Sequence, residues 1–270
     1  MTAPTPAPTP VTAPGRGRRA LGAGRVDREL VARTRPLSAT RDQVLPVTPA
    51  LVTLFPGGLR RGTVVLVDGD GAGGSTTLAL ALLASASGSG SWTAVIGLAD
   101  PGVLSMAELG IDLERLVLVP RPGGLWPEVA ATFLAGADAV LLRPPGPARR
   151  EVARRLTARA REQRAALVVL AEGGRWGEGP DVRLRVADSA WRGAESGHGH
   201  LRGRWTAVTA TGRRGAARPE SVGLWLPDAA GTAATAEPTD AAGGGGAEET
   251  CGEAVTGGVV SRPAGRGGDR

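Results

Sequence analysis

The chain contains no lysine; all 32 of its basic residues are arginines. A site that calls for a lysine therefore cannot borrow one from elsewhere in the sequence. Cysteine is almost absent. Cys251 stands alone, which excludes a disulfide framework and a cysteine zinc-ligand set. The only histidines are His198 and His200. On a strand, positions two apart share one side, but no third ligand residue lies near, so no metal is expected. A turn into the following strand is the expected role of that segment. No apolar run reaches membrane-spanning length, and the N-terminus lacks the apolar h-region of a signal peptide. The expected location is the cytoplasm, with no membrane contact.

Glycine and proline are plentiful, at 42 and 21 residues, close to the level of a low-complexity sequence. They gather at the ends. Residues 1–36 open with MTAPTPAPTP and run through GRGRR; residues 229–270 are rich in Gly and Ala. Neither end can bury enough apolar surface to offset the entropy of ordering, so both are expected to be disordered. The N-terminal arm carries a net charge of +5 and the tail −3. Residues 26–34 of the arm are compatible with one short helix ended by Pro36. The remaining 37–228, with a net charge of +4, are ample for a single buried-core domain. The heavy use of Ala, Gly and Arg resembles a genomic base-composition bias, which weakens arginine number as an argument for nucleic acid.

Within that core, TVVLVDG (63–69) is apolar on both faces, as a buried parallel strand should be. Ser75 to Ala86 is a helix apolar nearly all round, which must be buried against a sheet. Strands follow at 92–100, 116–120, 137–143 and 165–172. Between them come helices at 106–112, closed by Gly110, from Pro127 with Val129, Ala130, Phe133 and Leu134 in one stripe, and at 151–164. This alternation predicts an α/β fold with a mainly parallel sheet flanked by helices. Residues 181–186, 204–211 and 221–227 are alternating strands with short links, and predict an antiparallel C-terminal extension of the sheet.

Between the first strand and its helix lies GDGAGGSTT (69–77). The P-loop pattern is G-x-x-x-x-G-K-[ST]. Gly69, Gly74 and Thr76 fall on it, Gly71 and Gly73 add flexibility, and Ser75 stands where the lysine belongs.

The order PGGLRRGTVVLVDGDGAGGSTTLALALL, LGIDLERLVLVPRP, ADAVLLR and the three late strands resembles the core of the RecA recombinase family over about residues 45–227. The departures from that family bear on chemistry. Without the lysine, one charge-assisted phosphate contact is lost, about 1.5–3 kcal/mol of binding, and more of transition-state stabilisation. Asp70 adds negative charge to the loop. The strand that should end in a metal-binding acid ends in Arg143, which is also a candidate for the missing positive charge. Asp100 is the one candidate for the water-activating acid. The expected reading is a vestigial loop kept for packing, with no catalytic residue, no metal and no cofactor; weak ATP and magnesium binding is the alternative.

LGIDLERLVLVPRPG, RPPGPARR and GHGHLRGR look closest to the ImuA-type RecA homologues of the actinobacterial mutagenesis cassette. That resemblance implies a non-catalytic accessory of translesion DNA synthesis. Its implied partners are a Y-family polymerase-like subunit and an error-prone C-family DNA polymerase, with nucleoid association when engaged. Two other readings stand beside it: a DNA-dependent ATPase or recombinase paralogue with an altered loop, and a cell-division regulator.

Candidate DNA or partner contacts are the arginines of the 151–164 helix and its approach, Arg149, Arg150, Arg154, Arg155 and Arg159. A second candidate is the loop 172–180, where Arg175 and Trp176 are placed to stack on a base or anchor a protein. The bland reading of the helix is a solvated charged face. For Trp126, Trp191, Trp205 and Trp225, packing in the core or on the sheet is expected.

Overall fold

The computed structural model describes residues 43–237, apart from 70–72, 172, 174, 196–197 and 213–219. The short helix expected at 26–34, the expected disorder of residues 1–36 and of 238–270, Asp70 and Gly71 lie outside the described residues. The start of the tail corrects the sequence reading: residues 229–237, expected to be disordered, are ordered, because Ala234–Thr235 pairs antiparallel with Leu224–Trp225 and Ala236 is buried.

Three elements precede the sheet. Strands β1 (Val44–Leu45) and β2 (Leu59–Arg60) pair antiparallel around a short 3-10 turn. Then come β3 (Val64–Gly69), helix α1 (Ser75–Gly88), β4 (Thr93–Ile96), α2 (Val103–Glu108) and β5 (Leu116–Val119). Helix α3 (Trp126–Leu134), β6 (Ala139–Leu142), α4 (Arg150–Gln163) and β7 (Ala166–Leu170) complete the alternating part. Four strands end the described chain: β8 (Val182–Glu195), β9 (His198–Gly212), β10 (Glu220–Trp225) and β11 (Ala234–Thr235).

β3 to β11 form one sheet of nine strands in the order β11-β10-β9-β8-β3-β7-β6-β4-β5. β8, β3, β7, β6, β4 and β5 are mutually parallel. β9, β10 and β11 are added antiparallel. The parallel, helix-flanked part and the antiparallel extension are as the sequence predicts. β8 differs in one respect: it joins the parallel block beside β3 and only then begins the antiparallel run.

The period of two along each strand divides the core. Val65, Val67, Val95, Leu141 and Val168 face one side, in a cluster with Leu78, Leu82 and Leu83 of α1 and Met106 of α2. Val64, Leu66, Ile96, Leu142 and Val169 face the other, with Ala130 and Leu134 of α3 and Leu156 and Ala160 of α4. Because α1 is apolar all round, its outer residues need cover too. Leu45, Leu51, Leu54 and Phe55 of the N-terminal segment belong to the same cluster. Each such leucine contributes about 1.5–3 kcal/mol by leaving water.

At the N-terminal edge of the strands, buried acids lock the frame. Asp138 accepts hydrogen bonds from Arg61 Nη1 at 2.7 Å and from the Trp92 amide at 2.9 Å. Asp181 accepts from the Val64 amide at 3.0 Å and from Arg161 Nη2 at 3.2 Å.

Two boundaries correct the sequence reading. Helix α2 spans Val103–Glu108 rather than 106–112: it starts earlier, behind Gly102 as its N-cap, while Gly110, at φ 95°, closes it as the sequence predicts. The His198-Gly199-His200 segment is strand, not a turn: it opens β9, and His198 pairs with Glu195 across the hairpin. The long β8–β9 ladder, with irregularities between Val186 and Asp188 and between Arg192 and Ala194, carries this pair far past the end of β3.

Candidate functional site

In a parallel α/β sheet, ligands bind at the carboxyl ends of the strands. Here that edge gathers the β3–α1 turn, the segments after β4, β6 and β7, and the β8–β9 hairpin.

β3 ends at Gly69, and α1 begins at Ser75 behind Gly73 and Gly74. Both glycines are left-handed, with φ of 78° and 84°, a conformation that side chains other than glycine rarely adopt. Gly74 is the N-cap and offers no side-chain hydrogen bond to the helix. The first-turn amides therefore lack the capping oxygen that a Ser, Thr or Asp would provide. Gly74 is buried; Ser75 and Thr76, in the lysine and metal-hydroxyl positions of the motif, are half-buried.

Arg143 follows β6 directly, and its amide donates to the Ile96 carbonyl at 2.8 Å. It lines a cleft of about 540 Å³ with Gly97, residues 144–147, Leu170, Ala171, Gly173 and Arg175. Two arginines thus border a cleft at the edge where a metal-dependent hydrolase would need acids. Asp100 turns outward: its side chain is 88% exposed and reaches Arg121 at 3.3 Å. Asp68, near the end of β3, is the buried acid closest in sequence to the loop. Arg183 donates to it at 3.5 Å, and its Oδ1 has no partner.

Of the arginine helix, Arg149, Arg150, Arg154 and Arg155 are exposed and Arg159 is half-buried. Arg155 pairs with Glu128 at 3.6 Å and Arg159 with Glu162 at 3.1 Å. These are solvent-screened pairs of little energetic weight. The start of α4 meets the loop after β7: a Cβ on Gly177 would lie 2.6 Å from the Arg150 Cα. The structure thereby brings Arg150 to the loop that holds Arg175. Arg154, Arg155 and Arg159 run down the helix away from that edge.

Trp176 is corrected. It is only 7% exposed and belongs to the core cluster of α3 and α4, so its ring is not available to stack on a base or anchor a partner. The close approach of Gly177 to α4 draws the preceding tryptophan inward. Trp191 departs from the packing expectation in the other direction. It is 44% exposed, with the Arg204 guanidinium over its ring at 4.2 Å. Trp126, Trp205 and Trp225 are half-buried.

Arg204 and Thr206 on β9 are neighbours of the loop that the sequence reading missed. A Cβ on Gly73 would lie 3.4 Å from Arg204 Nη1, and one on Gly74 would lie 3.3 Å from Thr206 Oγ1. Burial holds the Arg204 guanidinium below the ordinary arginine pKa. The available signal was period-two alternation: Arg204 and Thr206 continue the face of Val208 and Ala210, which pack in the α1 cluster.

Residues 53–178 match the family model described as the MT3502 N-terminal domain. Over 92 residues the chain is 40% identical to the uncharacterized protein Rv3395c of Mycobacterium tuberculosis strain H37Rv. That match takes in 34% of this chain and 44% of the relative, so the chain spans less than half the length of that relative. Among solved structures, the chain resembles the KaiC-like protein PH0186 of the hyperthermophilic archaeon Pyrococcus horikoshii OT3. The TM-score is 0.53 at 16% identity, over 73% of this chain and 100% of that one. With the parallel, helix-flanked block and its antiparallel extension, this likeness gives the chain a RecA-like fold.

Proposed function

We propose that this chain is a non-catalytic accessory protein of DNA damage tolerance, supporting error-prone translesion synthesis through protein–protein contacts. The observation that carries the reading is the edge of the sheet where nucleotide hydrolysis takes place in a RecA-like enzyme. Here Ser75 replaces the lysine, Arg143 replaces the metal-binding acid, and Asp100 faces solvent beside Arg121. One such change leaves room for a variant chemistry; three together remove the motif's lysine, the acid that holds the metal and the acid that activates the attacking water. The sequence resemblance to the ImuA type supplies the process and the partners, a Y-family polymerase-like subunit and an error-prone C-family polymerase. The exposed arginines of α4, with Arg175, are the surface proposed to meet a partner or DNA.

The test is damage-induced mutation frequency in a strain lacking the gene, with homologous recombination assayed alongside. Induced mutation should fall to the spontaneous level while recombination stays intact. Unchanged induced mutation sinks the proposal. DNA-stimulated ATP turnover by the purified chain, abolished by Thr76→Ala, would replace it with the ATPase reading.

A further inference from the structure

The start of α1 has a positive group against it that no acid among the described residues neutralises. A helix of 14 residues carries about half a positive charge at its N-terminus. The Arg204 guanidinium adds a full charge beside Gly73. Its Nε has no hydrogen-bond partner, and it forms no ion pair among the described residues. The ring of Trp191 supports one face of it. Thr206, on the same face of β9, is wholly buried beside Gly74, and its Oγ1 has no hydrogen-bond partner.

A partly desolvated cation, an uncapped helix start and an orphan hydroxyl converge on one spot. Each of the three is costly alone, and each is satisfied by the same thing, an oxygen-rich anion. We infer that the N-terminus of α1, Arg204 and Thr206 form a binding site for a phosphate group, in which Arg204 of β9 supplies the positive charge that Ser75 does not. The phosphate oxygens would accept from the first-turn amides, from the Thr206 hydroxyl and from the forked guanidinium, whose geometry suits phosphate. No acid is needed, so binding requires no divalent cation. The phosphate comes either as a free inorganic ion or as the end of a nucleotide. The adaptor proposal does not depend on this site, since binding without hydrolysis leaves it intact.

The test uses the full chain in EDTA, at ionic strength held constant with chloride. Inorganic pyrophosphate and ATP are titrated separately, read by thermal unfolding and by tryptophan fluorescence. Saturable stabilisation is expected. Arg204→Met should weaken it about tenfold or more, the loss of a charge-assisted contact. Thr206→Val, which exchanges the hydroxyl for a methyl, should weaken it severalfold. Equal responses to pyrophosphate and ATP support a site for phosphate alone; a response to ATP only supports the same site with the nucleoside as carrier. The inference is overturned if neither ligand binds saturably, or if both variants bind like the wild type. Should Arg204→Met fail to fold, the near-isosteric Thr206→Val decides the question.

Discussion

The two edges of the parallel sheet treat charge in opposite ways. At the N-terminal edge, Asp138 holds Arg61 at 2.7 Å with both side chains nearly buried, and Asp181 holds Arg161. At the C-terminal edge, Arg204 stands at a helix start with an unpaired Nε, and Asp68 keeps one oxygen unpartnered. Burying a charge is expensive unless it is paired. The first edge satisfies that condition and so reads as frame. The second does not, and the imbalance falls where the fold places its ligands. A difference in electrostatic completeness thus separates scaffold from site without any appeal to catalytic residues.

Breaking the complete edge should cost most. Asp138→Ala removes the counter-charge of Arg61 and the acceptor of the Trp92 amide. About 3–5 kcal/mol of stability should be lost. Urea unfolding would show this as a lower midpoint with an unchanged slope; a loss under 1 kcal/mol would mean that the pair is not structural. At the incomplete edge, Gly74→Ala imposes a left-handed alanine, about 1–2 kcal/mol, and crowds Thr206 and Arg204. Gly110→Ala is the matched control, because Gly110 is also left-handed but has nothing within 4 Å of an added Cβ. The excess loss at Gly74 measures the crowding alone. Equal losses would show that β9 yields freely there.

Much of the frame was legible in the sequence, because runs such as Val64–Val67 and Leu78–Leu83 are buried on every side and announce it in their composition. The site was less so. Gly73, Gly74, Ser75 and Thr76 stand out through the motif itself, a local pattern. Arg204 is some 130 positions away and reaches the loop only because β9 is the second strand beyond β3. Trp176 misleads for the same reason. In sequence it sits among glycines and looks exposed, and only the packing of Gly177 on α4 buries it. The hairpin length was hidden because Gly193, Gly199 and the histidines resemble a turn, whereas ladder pairing makes them strand.

The incomplete edge can also be sharpened in the absence of ligand. If Arg204 is held against the helix start for binding rather than for folding, Arg204→Met should be no less stable than the wild type in ligand-free, low-salt buffer. It removes the charge repulsion and keeps most of the stem packing. A loss beyond 1 kcal/mol on thermal unfolding would place Arg204 with Arg61, as part of the frame.

The smallest expected effect concerns Trp191, and it separates support from binding. A guanidinium over an indole at 4.2 Å is worth about 0.5–1 kcal/mol at a partly exposed site. Trp191→Leu should therefore cost little stability by itself. A double-mutant cycle with Arg204→Met isolates the pair. A coupling near 0.5–1 kcal/mol in the free protein means that the ring positions the guanidinium before any ligand arrives. Preorganisation lowers the cost of binding, so Trp191→Leu should then also weaken pyrophosphate binding, though less than Arg204→Met does. A coupling of zero in the free protein that emerges only with ligand bound would reverse the order of events: the anion would draw Arg204 inward, and the stacked arrangement would belong to the bound state.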